Sequence, residues 1–169
     1  MSHLEMATPM VSETNIEALK REIEGRIGVW GEPRTSDAIA LSDIRRWSIA
    51  VYWPETPPRQ YWDQDYAKQT RWGGIVAPHE FNPFAWTLEP MPRTAPRGAE
   101  GVRGMNGGQV DSFFAIMRPG DLITQRVRVF GCEMRDTSLG PTLFIQTEFR
   151  WTNQRDELVK TRIATSIRY

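Results

Sequence analysis

The sequence predicts an α+β domain, and three observations carry that reading. Two N-terminal stretches repeat apolar residues at helical spacing, the chain from residue 110 onward switches to a period of two, and a segment at roughly 78–88 is apolar on most sides. By pattern alone the C-terminal half is a four-stranded antiparallel sheet. At 169 residues and 40% hydrophobic, the chain is long enough to bury a core without a metal or a disulfide.

The elements follow in order. Residues 1–12, which include His3, show no periodic pattern and form a tail outside a domain at 13–169. Thr14 and Glu17 make a capping box, and Ile16, Leu19, Ile23 and Ile27 recur on one face, so a helix is expected over roughly 14–26. A second helix is expected from Ser42 as N-cap, with Ile44, Trp47 and Val51 at helical spacing, ending before Pro54. Pro54, Pro57 and Pro58 then impose an extended connection that delivers residues 61–72, including a short helix at 63–71. The apolar segment at 78–88 holds Phe81, Phe84, Ala85, Trp86 and Leu88 and reads as a buried helix. Residues 90–108, rich in Gly, Pro and Arg, read as a flexible loop.

In the C-terminal half, Val110, Ser112, Phe114 and Ile116 alternate with Asp111, Phe113, Ala115 and Met117. After a turn at Arg118-Pro119-Gly120-Asp121, Ile123, Val127 and Val129 share a face. Leu143, Ile145, Phe149 and Trp151 share the face of the next strand, and Asn153 to Asp156 form a hairpin turn. The last strand is expected to place Val159, Ile163, Ile167 and Tyr169 inward, against Lys160, Arg162 and Arg168.

Composition narrows the function classes. Lys+Arg and Asp+Glu each number 21, and this balance lacks the electrostatic footprint of a nucleic-acid binder. The single cysteine, Cys132, excludes an intrachain disulfide, and two histidines with one cysteine are too few for a zinc site. No apolar run of about 18 residues and no leader pattern is present, so a cytoplasmic enzyme or subunit is expected. Neither a Walker loop nor a dinucleotide fingerprint appears. Seven tryptophans fit core and interface packing, or a stacking platform for a ring-bearing ligand.

Residues 61–81, YWDQDYAKQTRWGGIVAPHEF, resemble the active-site segment of the MaoC-like hydratase/dehydratase family. In its R-specific enoyl-CoA hydratases that segment reads Asp-x-Asn-Pro-Leu/Ile-His-x-Asp, followed by an aromatic residue and a run ending in His-Gly or Pro-Gly. Asp63 matches the last Asp and Trp72 the aromatic. The family's His then falls on Tyr61 and its catalytic Asp on Thr56, beside Glu55. Arg118-Pro119-Gly120-Asp121 and Gly107-Gly108-Gln109 resemble the closing motif of the MaoC-like N-terminal subfamily. The resemblance spans roughly residues 34–169 and implies a single hot-dog domain, an antiparallel sheet wrapped around a buried central helix. It also implies pairing of two such domains edge to edge and an acyl-CoA or acyl-carrier thioester as substrate; no motif in the sequence suggests a cofactor beyond the coenzyme A or carrier arm of that substrate.

Hydration of an enoyl thioester needs a base for the water, a proton donor for the α-carbon, and N–H groups for the enolate oxygen. The family supplies an N–H from a Gly that corresponds to His79. The His79 imidazole is well placed in pKa to move a proton, or it is a structural histidine bonded to backbone. Glu80 is a second candidate, because some hot-dog thioesterases use a carboxylate on this helix. It equally fits a salt-bridged helix N-terminus. Tyr61 can donate a proton but is a poor base, with an unperturbed pKa of about 10. Glu55 replaces the missing Asp only if the Pro-rich segment is shifted by one residue. Asp63 and Tyr66 are expected to cap and pack the short helix.

For substrate binding the candidates are Trp72 and Phe81 as tunnel walls, Gly74 as a site of close backbone approach, and Arg93, Arg97 and Arg103 as a basic lid over coenzyme A phosphates. The leading expectation is the substrate-shaping half of a heteromeric hydratase. The alternatives are a homodimeric hydratase using His79, a thioesterase using Glu80, and a non-catalytic acyl-CoA binding protein.

Overall fold

The computed structural model describes residues 15–86 and 102–169. Helix α1 (Asn15–Glu24), strand β1 (Arg34–Thr35), helix α2 (Leu41–Tyr52), a 3-10 turn (Arg59–Tyr61) and helix α3 (Gln64–Gln69) come first. Strands β2 (Gly104–Phe113), β3 (Ile123–Thr137), β4 (Gly140–Asn153) and β5 (Leu158–Arg168) follow. They form one antiparallel sheet in the order β1-β3-β4-β5-β2, so the α+β architecture stands as the sequence predicts.

One face of this sheet carries the whole core. Ile16, Leu19 and Ile23 of α1 pack on Val129, Leu143 and Ile145 at one end, as the helical spacing requires, while the Thr14 cap lies outside the described residues. Ile44 of α2 packs with Ile39, Ile75, Phe81, Phe84, Ile123 and Trp151 at the other end. Helix α2 begins one residue before the predicted cap. Ala40 is its N-cap without a side-chain bond, and Ser42 lies within the first turn. The preceding segment is already tied to the sheet through Ser36 N–H to Ile123 O (2.8 Å) and Ile39 N–H to Asp121 O (2.9 Å), and this anchoring sets the helix start.

Three further expectations need correction. Residues 78–86 form two short turns, at 79–80 and 83–86, rather than an α-helix. Pro83 has no N–H to donate, and Asn82 Oδ1 captures the Phe84 N–H at 3.1 Å. The remaining bonds are of the tight type, Phe81 N–H to Pro78 O and Ala85 N–H to Asn82 O. The segment is nevertheless buried at Phe81 and Phe84, whereas Trp86 is exposed; residues 87 and 88 lie outside the described residues.

Residues 104–108, expected as loop, belong to β2 and pair with β5 across a bulge between Asn106 and Gln109. Gly108 holds φ at 95° there, so the glycines mark a bulge rather than a coil. Finally, β5 is turned over relative to the expected phase. Trp151 faces Lys160, Phe149 faces Arg162 and Thr147 faces Ala164, and directly opposed residues share a face. Lys160, Arg162 and Ala164 therefore point inward, and Ile163, opposite Glu148, points outward. A register shift between Trp151 and Thr152 lets Val159 and Lys160, adjacent in sequence, both be buried.

Candidate active site

The Pro-rich segment and α3 place the residues that resemble the family's active-site stretch. Asp63 caps α3 by accepting the Tyr66 N–H at 3.0 Å and pairs with Arg59, whose Nη2 lies 2.6 Å from Oδ2. The Arg59 guanidinium also stacks 4.6 Å over the Tyr66 ring. The backbone bond from Tyr66, and then Arg59, hold the Asp63 carboxyl below its usual range. Asp63 and Tyr66 thus cap and pack, as their positions imply.

Tyr61 is half-buried against the core cluster that contains Phe81, with its ring 6.1 Å from that of Tyr52. Burial, followed by the bond to Tyr52, pushes its phenol above the usual value, and the Glu80 charge adds to the shift. At neutral pH it holds its proton more firmly than a free tyrosine. Glu55 is exposed and its backbone N–H closes the end of α2 on Tyr52 O at 2.7 Å. His79 is exposed, with its ring 5.2 Å from Phe113 on β2. Glu80, one residue on, faces a cavity.

Trp72 is fixed from two sides. Arg118 Nη1 donates to its carbonyl at 2.8 Å, and Arg71 stacks 4.2 Å over its ring. The Arg118–Asp121 turn makes this tie possible: Asp121 is buried and accepts the Arg118 N–H at 2.8 Å and Gln154 Nε2 at 2.9 Å. Gly73 takes the positive φ of the turn at 65°, and a Cβ at Gly74 would meet nothing within 4 Å, which leaves its surroundings open. Arg103 is exposed and exchanges two backbone bonds with Tyr169. Arg93 and Arg97 lie outside the described residues.

The cavity that Glu80 faces measures about 360 Å³ and lies between the 80–82 turn, Trp47 of α2 and the inner face of the sheet. Its sheet wall is Gln109, Gln125, Phe149, Trp151, Lys160, Arg162 and Ala164. Lys160 is only 2% exposed. Its Nζ lies 2.8 Å from Asp111 Oδ2 and about 5 Å from the ring centres of Phe113 and Trp151. Arg162 grips the same carboxylate through Nε at 2.7 Å and Nη2 at 2.8 Å. These bonds, Arg162's foremost, hold Asp111 down at about 2 against the opposing effect of burial. Trp151 Nε1 donates to Gln125 Oε1 at 2.9 Å.

Periodicity missed this cluster because it assigned Lys160 and Arg162 to the outer face. The legible signal was the pairing of charged residues with Asp111 on the neighbouring strand, which strict alternation from Val159 concealed. Of the predicted residues, the structure brings Glu80, Phe81 and Tyr61 into one neighbourhood around α2. Glu55 and His79 are exposed, and neither forms part of the cavity wall.

The family of FAS1-like dehydratase domain regions matches residues 26–162. The chain belongs to this family. No curated protein sequence matches it. Among solved structures, it is similar to one in the ChsH1–ChsH2 complex of Mycobacterium tuberculosis, with a TM-score of 0.66, 19% identity, and 90% of each chain covered. It is also similar to the unliganded R-hydratase PhaJ1 of Pseudomonas aeruginosa, with a TM-score of 0.55 and 18% identity over 83% of this chain and 79% of that one. A third is the C-terminally truncated HadBC (3R-hydroxyacyl-ACP dehydratase) complex of Mycobacterium tuberculosis, with a TM-score of 0.54 and 16% identity over 84% and 92%. The fold of this FAS1-like dehydratase-region chain is the MaoC-like hot dog. No helix among its described residues is long and apolar enough to cross a membrane.

Proposed function

We propose that this chain is the substrate-shaping half of a heteromeric acyl-thioester hydratase or dehydratase. The observation that carries the reading is the state of the position that matches the family's His. A tyrosine stands there, half-buried and holding its proton above the ordinary phenol range, so it does not act as a base at neutral pH. The one imidazole among the described residues, His79, packs on Phe113 outside the cavity wall. Within that wall the cations are committed to Asp111. Such a chain binds and orients an acyl group and relies on another subunit for water activation.

The free edge supports a partner of the same kind. Strand β2 closes one side of the sheet and presents Val110 and Phe113, at 69% and 37% exposure, beside an edge that no other described strand covers. A ten-residue edge strand invites pairing with another sheet. That ChsH1–ChsH2 and HadBC are complexes of two different chains agrees with this proposal.

The test is an enoyl-CoA hydration assay on the purified chain, alone and after addition of a hot-dog subunit that carries the Asp/His pair. The expected result is no turnover alone, a gain on addition, and a mass in solution that rises with it. Strong hydratase activity from the isolated chain would sink the reading. Glu80 in the cavity wall favours a second reading, a thioesterase, whose signature is thiol release from acyl-CoA that disappears in Glu80→Gln.

A further inference from the structure

Helix α2 packs on the domain through one side. Its buried residues are Ile44 and Ser48, with Trp47 packed against the same cluster as Ile44. On the outward side Leu41, Arg45 and Ile49 follow one another at intervals of four, and the cap residue Trp53 continues the ridge. Leu41 and Ile49 are half-exposed, and Trp53, at 77%, is the most exposed large apolar side chain among the described residues. Beside the ridge lies a groove of about 210 Å³, lined by Arg45, Ile49, Thr56, Pro57 and Trp62. The groove is preformed, because the Trp62 indole N–H donates to Pro57 O at 2.9 Å. Contiguous apolar exposure of this kind marks a contact surface.

The charges around the ridge identify what covers it. Arg45 and Glu55 are exposed, and neither side chain has a hydrogen bond or ion pair among the described residues. Arg45 stands about 6 Å before Ile49 along the helix axis, at 1.5 Å per residue. Glu55 stands beyond the other end, where its backbone N–H closes on Tyr52 O at 2.7 Å. A surface with an apolar centre, a free cation on one side and a free anion on the other matches itself after a half-turn.

We propose that this face of α2, with the Pro-rich segment beside it, is an isologous interface with a second copy of the chain. About a two-fold axis near Ile49 the two α2 helices run antiparallel, ridge against ridge. Ile49 meets its own counterpart, and Arg45 reaches Trp53 and Glu55 of the second copy. Leu41 enters the second copy's groove at Pro57 and Trp62. The surface shares no residue with β2, so two chains joined through α2 leave both sheet edges free for another subunit. The pairing does not depend on what the cavity binds.

Sedimentation velocity of the full chain over a range of concentrations tests the pairing. The wild type is expected to be a dimer at micromolar concentration. Arg45→Glu and Glu55→Arg, both at exposed positions, are each expected to weaken that dimer about tenfold, since the two-fold axis makes every reversal count twice. The double variant restores opposite charges across the axis and is expected to recover the wild-type affinity to within about threefold. Circular dichroism is expected to show all three variants folded. A monomeric wild type would overturn the proposal and leave the groove to another occupant. A dimer that all three variants leave unchanged would overturn it too, by placing the contact elsewhere, as at the β2 edge. So would single variants that weaken the dimer with no recovery in the double.

Discussion

The two halves of the inner sheet face are built on opposite principles. On β3 and β4, Ile123, Val127, Val129, Leu143 and Ile145 are all at most 6% exposed, covered by α1 at one end and by α2 with the 75–84 segment at the other. On β5 and β2 the same face carries Lys160, Arg162, Asp111 and Gln109, and a cavity opens over it. Apolar packing supplies stability in the first half. In the second, Lys160 is kept dry where an aliphatic side chain would pack with less desolvation, which is the usual mark of a binding surface rather than of a core.

The largest expected effect breaks the apolar half. Leu143→Ala removes a fully buried side chain between α1 and the sheet and should lower unfolding free energy by about 3 kcal/mol in urea denaturation. Next comes Asp111→Asn, which leaves Lys160 buried without its carboxylate and should cost about 3 kcal/mol or slightly less, because Arg162 is partly exposed. The same carboxylate sets an acid limb. Its folded pKa of about 2 lies below the unfolded 3.8, so its contribution is present in full above about pH 4 and is lost as pH falls toward 2. The acid limb of stability should therefore flatten in Asp111→Asn. The smallest effect is the most telling. Lys160→Met leaves Asp111 held by both Arg162 bonds and fills similar space, so stability should change by less than about 1 kcal/mol. A loss as large as that of Leu143→Ala would show that the charged half is structural after all.

Legibility in the sequence followed the same division. The apolar half was readable because each strand there alternates cleanly against a helix with Ile16, Leu19 and Ile23 in register. The charged half was not, because a single register shift at Trp151/Thr152 inverts the phase of β5, and hydrophobic alternation then ranks Ile163 as inward and Lys160 as outward. Of the segment expected as a buried helix at roughly 78–88, the described part is buried at Phe81 and Phe84 but not helical, since apolar content reports burial while Pro83 and the Asn82 side chain decide the backbone. At the site, Asp63 was legible as a cap from its position ahead of α3. Trp47 was placed on the right helix, but nothing in its spacing revealed a buried donor beside a cavity.

The central claim is that the acyl group enters the charged half, and indole N–H resonances of the isotopically labelled chain test it most directly. On addition of an acyl-CoA, the Trp47 and Trp151 signals should shift while those of Trp53 and Trp62, on the Pro-rich segment, stay in place. Shifts confined to Trp53 and Trp62, with Trp47 and Trp151 unmoved, would contradict the account.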